Sequence, residues 1–124
     1  MNRELPPDAI VVRFAPMTTE RLMERAARDA VEGHPRLSVF CRVQEEGQTV
    51  DELLERICAE APVTGKKVWL STAQRIKEAG LELVHTPEPD CHYDVDLGSG
   101  SLTEAVASFQ TAFDPPRGNP AWRS

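Results

Sequence analysis

Residues 81–98, LELVHTPEPDCHYDVDLG, constrain the fold of this chain more than any other stretch. Two half-apolar runs flank a Thr-Pro-Glu-Pro-Asp connection, which is the pattern of a β-hairpin. A hairpin commits the chain to an antiparallel strand pair, and the sheet it belongs to needs cover on at least one face. The same stretch gathers two of the three histidines, one of the three cysteines and the only tyrosine.

Strand register follows from matching apolar side chains, because a slip of one residue exchanges the two faces. Pairing Leu83 with Tyr93 and Leu81 with Val95 sets His85 opposite Cys91 across a five-residue loop. His85 then shares a face with Leu81 and Leu83. His92 lies on the other face with Asp94 and Asp96.

The remaining elements are read from periodicity and from their stops. Residues 9–14 (AIVVRF) form a β-favouring run between prolines. Thr18 can cap a helix whose apolar face carries Leu22, Ala26 and Ala30, ended by Gly33 and Pro35. Residues 37–43 (LSVFCRV) alternate, with Leu37, Val39, Cys41 and Val43 on one side and Ser38, Phe40 and Arg42 on the other. Three capping boxes predict helix starts: Thr49-x-x-Glu52, Ser71-x-x-Gln74 after a short strand at 67–70, and Ser101-x-x-Glu104. The order is therefore β-α-β-α-β-α-β-β-α. It predicts an α+β fold with a mixed sheet of about five strands and helices largely on one face, with a small doubly wound α/β fold as the alternative. Residues 1–113 read as one domain. Residues 114–124 hold three prolines and a glycine, and read as an irregular tail that Trp122 can pin to the body.

Composition narrows the function classes. The chain has 124 residues, enough for one domain with its own core. Its 14 basic and 20 acidic side chains give a net charge of −6, and only residues 61–86 carry a basic surplus, through Lys66, Lys67, Arg75 and Lys77. That distribution argues against strong binding to DNA. No apolar run approaches the length of a membrane span. The segment MNRELPPDAIVVRF lacks the features of a secretory signal, so the cytosol is the expected compartment. No P-loop or dinucleotide fingerprint is present, so no cofactor is expected.

Four chemistries are compatible with the hairpin. In the plainest, His85 and Cys91 finish the core while His92, Asp94 and Asp96 form a wetted face. In the second, the hairpin supports acid–base work on a phosphodiester, which needs a base, an acid and a cation for the phosphate. His85, His92 and Arg13 are the catalytic candidates there. Lys67, Ser71 and Thr72 at a helix start, together with Tyr93, are the substrate-binding candidates. A third reading makes His85, Cys91 and His92, or His92, Asp94 and Asp96, into metal ligands, although neither set has a standard spacing. The fourth is a Cys91–His85 nucleophilic dyad, which Glu88 and Asp90 disfavour by raising the thiol's pKa.

The size and general α+β layout are similar to those of small toxin-type ribonucleases and ADP-ribosyltransferases, and that likeness implies RNA or a nucleotide as substrate. The competing class is a non-catalytic protein of the immunity or antitoxin kind. Such a protein would bind another protein through the acidic helix at 49–60 or the face carrying Phe40. Convergence separates the two classes. The enzyme needs two histidines and Arg13 within about 8 Å around one hollow, allowing for a bridging substrate.

Overall fold

The computed structural model describes residues 5–14, 17–60, 66–86 and 91–119. In chain order the elements are β1 (Ile10–Phe14), α1 (Thr19–Arg28), β2 (Arg36–Arg42), α2 (Val50–Glu60), β3 (Lys67–Thr72), α3 (Ala73–Glu78), β4 (Glu82–His85), β5 (His92–Asp96), α4 (Leu102–Thr111) and β6 (Arg117–Gly118). The strands form one sheet in the order β4-β5-β2-β1-β3-β6. The fold is α+β.

Every pairing in the sheet is antiparallel, which corrects the expected mixture of parallel and antiparallel strands. Strand–helix alternation shows which elements follow one another. It leaves open the direction in which a linker delivers the next strand. Between α1 and β2 the chain reverses in a tight turn, with Val31 N–H donating to His34 O at 2.9 Å and His34 N–H to Val31 O at 3.0 Å. Glu32 and Gly33 take φ of 51° and 83°, as a type I′ turn requires. Gly33 adopts this conformation freely, whereas Glu32 does so against its Cβ. The sixth strand comes from the tail, where Arg117 and Gly118 pair with Val68 and Lys67.

The helix starts follow the capping logic with two departures, the first being Thr18, which stands at the N-cap of α1 without a side-chain cap hydrogen bond. Thr49 and Glu52 close a reciprocal box, with Glu52 N–H donating to Thr49 Oγ1 at 3.1 Å and Thr49 N–H to Glu52 Oε1 at 3.3 Å. Ser101 accepts from Glu104 N–H at 3.2 Å. The cap of α3 is Thr72 rather than Ser71, since Thr72 Oγ1 accepts from Arg75 N–H at 3.2 Å. Ser71 remains in β3, buried, and donates to Ala112 O. At its other end α3 stops in a Schellman pattern, where Leu81 N–H reaches Ile76 O and Gly80 N–H reaches Lys77 O.

Two apolar layers flank the sheet. On one face Val11, Leu37, Val39, Tyr93 and Val95 meet Leu22 and Ala26 of α1, Ile76 of α3, and Val106 and Phe109 of α4. On the other, Val12, Phe14, Phe40, Val68 and Leu70 meet Leu53, Leu54, Ile57 and Cys58 of α2. Burying each large side chain contributes about 1.5–3 kcal/mol, so the three-helix layer holds most of the stability. Phe40 is not a contact patch, because α2 covers it.

The hairpin pairs with a shift of two residues from the expected register. Leu83 lies opposite Val95 and His85 opposite Tyr93. A shift of two preserves the faces, so apolar matching alone cannot detect it. Cys91 pairs instead with β2, its carbonyl accepting from Cys41 N–H at 2.8 Å. The Cys91–His85 dyad thereby loses the cross-strand opposition it needs.

Candidate functional site

Helix α2 packs on its face of the sheet over Val12 and Phe14 of β1, Val68 and Leu70 of β3 and Phe40 of β2. On the other half, strands β4, β5 and β2 present Glu82, Val84, His92, Asp94, Asp96, Arg36 and Ser38, placed there by strand alternation and cross-strand register. This half-face is the candidate site.

Asp96 is its structural hub. Its Oδ1 accepts from Gly98 N–H at 2.7 Å, an Asx turn that starts the loop into α4. Its carboxylate also lies 3.1 Å from His34 Nδ1, so that nitrogen carries the proton and donates. Nε2 is the ring nitrogen that Asp96 does not hold, and the side chain is 44% exposed.

Arg36 sits between the two aspartates. Its Nη1 is 3.7 Å from Asp94 Oδ2 and its Nη2 is 3.8 Å from Asp96 Oδ2. Both distances are ion contacts, longer than hydrogen bonds. The side chains of Arg36 and Asp94 are only 15% and 16% exposed, and Arg36 Nε is buried without a hydrogen-bond partner. Burial raises the Asp94 carboxyl above the usual aspartate value, His92 and Arg36 oppose the rise, and Asp29 adds to it.

The catalytic candidates lie apart. His85 is on the three-helix face, its ring 4.7 Å from that of Tyr93. His92 is on the opposite face, its ring 5.2 Å from Phe40 and its Nδ1–H donating to Thr86 O at 3.0 Å. Arg13 is buried on the three-helix face, donates to Ser38 O at 2.7 Å and lies 6.0 Å over the Phe109 ring. Burial lowers its pKa to about 10, with Arg25 adding to the drop and Asp29 opposing it, so it stays charged at neutral pH. Strands β1 and β4 are three positions apart in the sheet, about 14 Å at the usual strand spacing. The register therefore separates Arg13 from His85, and the opposite face separates both from His92.

The substrate-binding candidates are also dispersed. Lys67 is exposed at the start of β3, four residues from Ser71, or about 13 Å along a strand. The Ser71 hydroxyl is committed to Ala112 O and the Thr72 hydroxyl to the start of α3. Tyr93 is buried in the core. Between α3 and α4 a shallow hollow is lined by Arg75, Glu78, Ser108 and Thr111, but Arg75 is bound to Asp114 at 2.8 Å.

Among the described residues, no group of three or more His, Cys, Asp or Glu side chains could hold a metal ion, and no helix is long and apolar enough to cross a membrane. The pairing of Arg36 with Asp94 was invisible in the sequence. The even positions of β2 read as a polar face, but no local signal says which distant strand lies beside them. Comparison with protein-family models, curated proteins and solved structures finds no match.

Proposed function

We propose that this protein is a non-catalytic recognition domain that holds a basic partner protein against the acidic side formed by α2 and the turn before it. The observation that carries this reading is the run of exposed carboxylates at Glu45, Glu46, Asp51, Glu52 and Glu55. Two arginines close its edges, Arg56 at 3.2 Å from Glu45 and Arg117 at 3.1 Å from Asp51. The net charge of −6 adds to the field. Such a field speeds encounter with a basic surface and is screened by salt. Dispersal of His85, His92 and Arg13 supports the same reading, as would be expected of an immunity or antitoxin-like partner.

A second reading rests on one contact. A carboxylate that fixes an imidazole through Nδ1 and leaves Nε2 as a base is an arrangement used in acid–base catalysis, and Asp96 holds His34 in this way. A toxin-type enzyme acting on RNA or a nucleotide would then use His34 in place of His85 and His92.

One set of measurements tests both. Binding of an oligolysine peptide is compared for the wild type and for a variant carrying Glu45→Gln, Glu46→Gln, Asp51→Asn, Glu52→Gln and Glu55→Gln. Salt-sensitive binding, weakened about ten-fold or more in the variant, is expected. Equal binding by the two proteins would sink the acidic-face reading. Expression of the wild type, His34→Ala, His85→Ala and His92→Ala in a bacterial host should be equally harmless. Toxicity or RNA cleavage that disappears in His34→Ala would replace the recognition reading with the enzymatic one.

A further inference from the structure

We propose that Arg36 and Asp94 form a recognition pair for a ligand that presents a carbonyl and an N–H side by side on one planar edge, namely the lactam of a nucleobase or a primary carboxamide. The proposal concerns the polar half of that sheet face and is independent of the acidic side of α2.

The two groups are side by side, largely buried, and incompletely satisfied. Their closest approach is 3.7 Å, and Arg36 Nε is buried without a partner. A buried donor left without a hydrogen bond is costly, so native structures seldom keep one without a use. Asp96 differs from Asp94 in this respect, because the turn at Gly98 and the ring of His34 already occupy it. Asp94 is left as the acceptor with capacity. Burial already disfavours its charge, and an incoming N–H would relieve that.

Chemistry then selects the ligand. A guanidinium only donates and an ionised carboxylate only accepts. A phosphate or carboxylate would satisfy Arg36 but face the negative charge of Asp94 and Asp96. An ammonium would satisfy Asp94 but face Arg36. A cis-disposed carbonyl and N–H satisfy both at once. In an amide, the oxygen and nitrogen are about 2.3 Å apart from the standard bond lengths, so slightly divergent hydrogen bonds can reach two protein groups 3.7 Å apart. The backbone amide of a peptide does not qualify, because its trans geometry points the two groups in opposite directions. Val84 lies directly across from Asp94 on β4 and gives the plane of the ligand an apolar neighbour.

Titration of the isotope-labelled full chain, followed by amide chemical shifts, tests the pair with matched probes. Uridine carries the lactam edge and N3-methyluridine lacks its N–H. Nicotinamide carries the carboxamide and nicotinate lacks it. Shifts confined to residues 34–38, 82–86 and 92–96 are expected with uridine, nicotinamide or both, and not with their controls. A response to uridine alone identifies a nucleobase as the source, and a response to nicotinamide alone identifies a carboxamide. Asp94→Asn and Arg36→Gln should each weaken the response about ten-fold or more, with the dispersed spectrum confirming that each variant is folded. The proposal is overturned if no probe shifts this face, if N3-methyluridine or nicotinate act as strongly as their partners, or if neither folded variant weakens binding.

Discussion

One face of the sheet is sealed by three helices, whereas the other meets α2 over β1, β3 and Phe40 of β2 and is polar around Arg36, Asp94 and Asp96. On the sealed face the inward residues of β1, β2 and β5 are apolar apart from Arg13, whose charge is absorbed by the Ser38 carbonyl and the Phe109 ring. On the opposite face the same strands carry apolar residues under α2 and charged ones beyond it. A sheet face can thus change character within a few strands. In this protein the apolar packing layer and the polar surface back onto the same backbone.

The comparison can be broken most easily at its strongest point. Phe109 is fully buried between α4 and the sheet, and Phe109→Ala should cost about 3–5 kcal/mol in urea unfolding. Leu54→Ala on α2 should cost about 2 kcal/mol, the low end for leucine, because a lone helix can relax around the gap. Equal costs would show that the two faces share the stability evenly.

A smaller effect separates α2 from the rest. Thr49→Ala removes the hydroxyl half of the box that starts this helix, leaving Glu52 N–H without its cap while the residue-49 N–H keeps Glu52 Oε1, and should cost about 1 kcal/mol. Native-state hydrogen exchange should show the loss in the amides of α2 and leave those of α4 unchanged. Loss of protection in α4 as well would mean that both layers open together.

Stability should rise at the turn that leads into β2. Glu32→Asn relieves a left-handed conformation that glutamate tolerates poorly and should add about 0.5–1 kcal/mol. If the thermal midpoint falls instead, Glu32 is making a contact that outweighs its backbone cost.

The smallest effect is a pH slope. Because burial raises the Asp94 carboxyl, the folded chain holds that proton more tightly than the unfolded chain does. Its contribution therefore favours folding at low pH and is lost as pH rises from about 4 through the raised value. Asp94→Asn should remove this part of the slope and leave the variant relatively more stable at neutral pH. A difference between wild type and variant that is constant across the range would show that Asp94 titrates normally.

Much of the fold was legible. The boxes at Thr49 and Ser101 and the opposite faces of His85 and His92 all follow from short-range geometry. The slip from Ser71 to Thr72 arose because both hydroxyls can cap, and the preference went to the residue that kept Ser71 free for the Ala112 carbonyl. The hairpin register was missed by two residues, since periodicity is blind to even shifts. The candidate site was legible only in fragments. Asp94 and Asp96 read as a wetted strand face, and nothing tied them to Arg36 or His34.

Local chemistry settles where helices begin and stop, which side chains share a strand face, and how much apolar surface each element must hide. Those properties depend on residues within a few positions of one another. Strand direction, the shift in register and the meeting of Arg36 with Asp94 depend on β2 lying beside β5, more than fifty residues later in the chain. That neighbourhood exists only once Leu37 and Val39 have been buried against Val95 and Tyr93 under α1 and α4. Tertiary packing, acting on the apolar face, decided what the polar face could become.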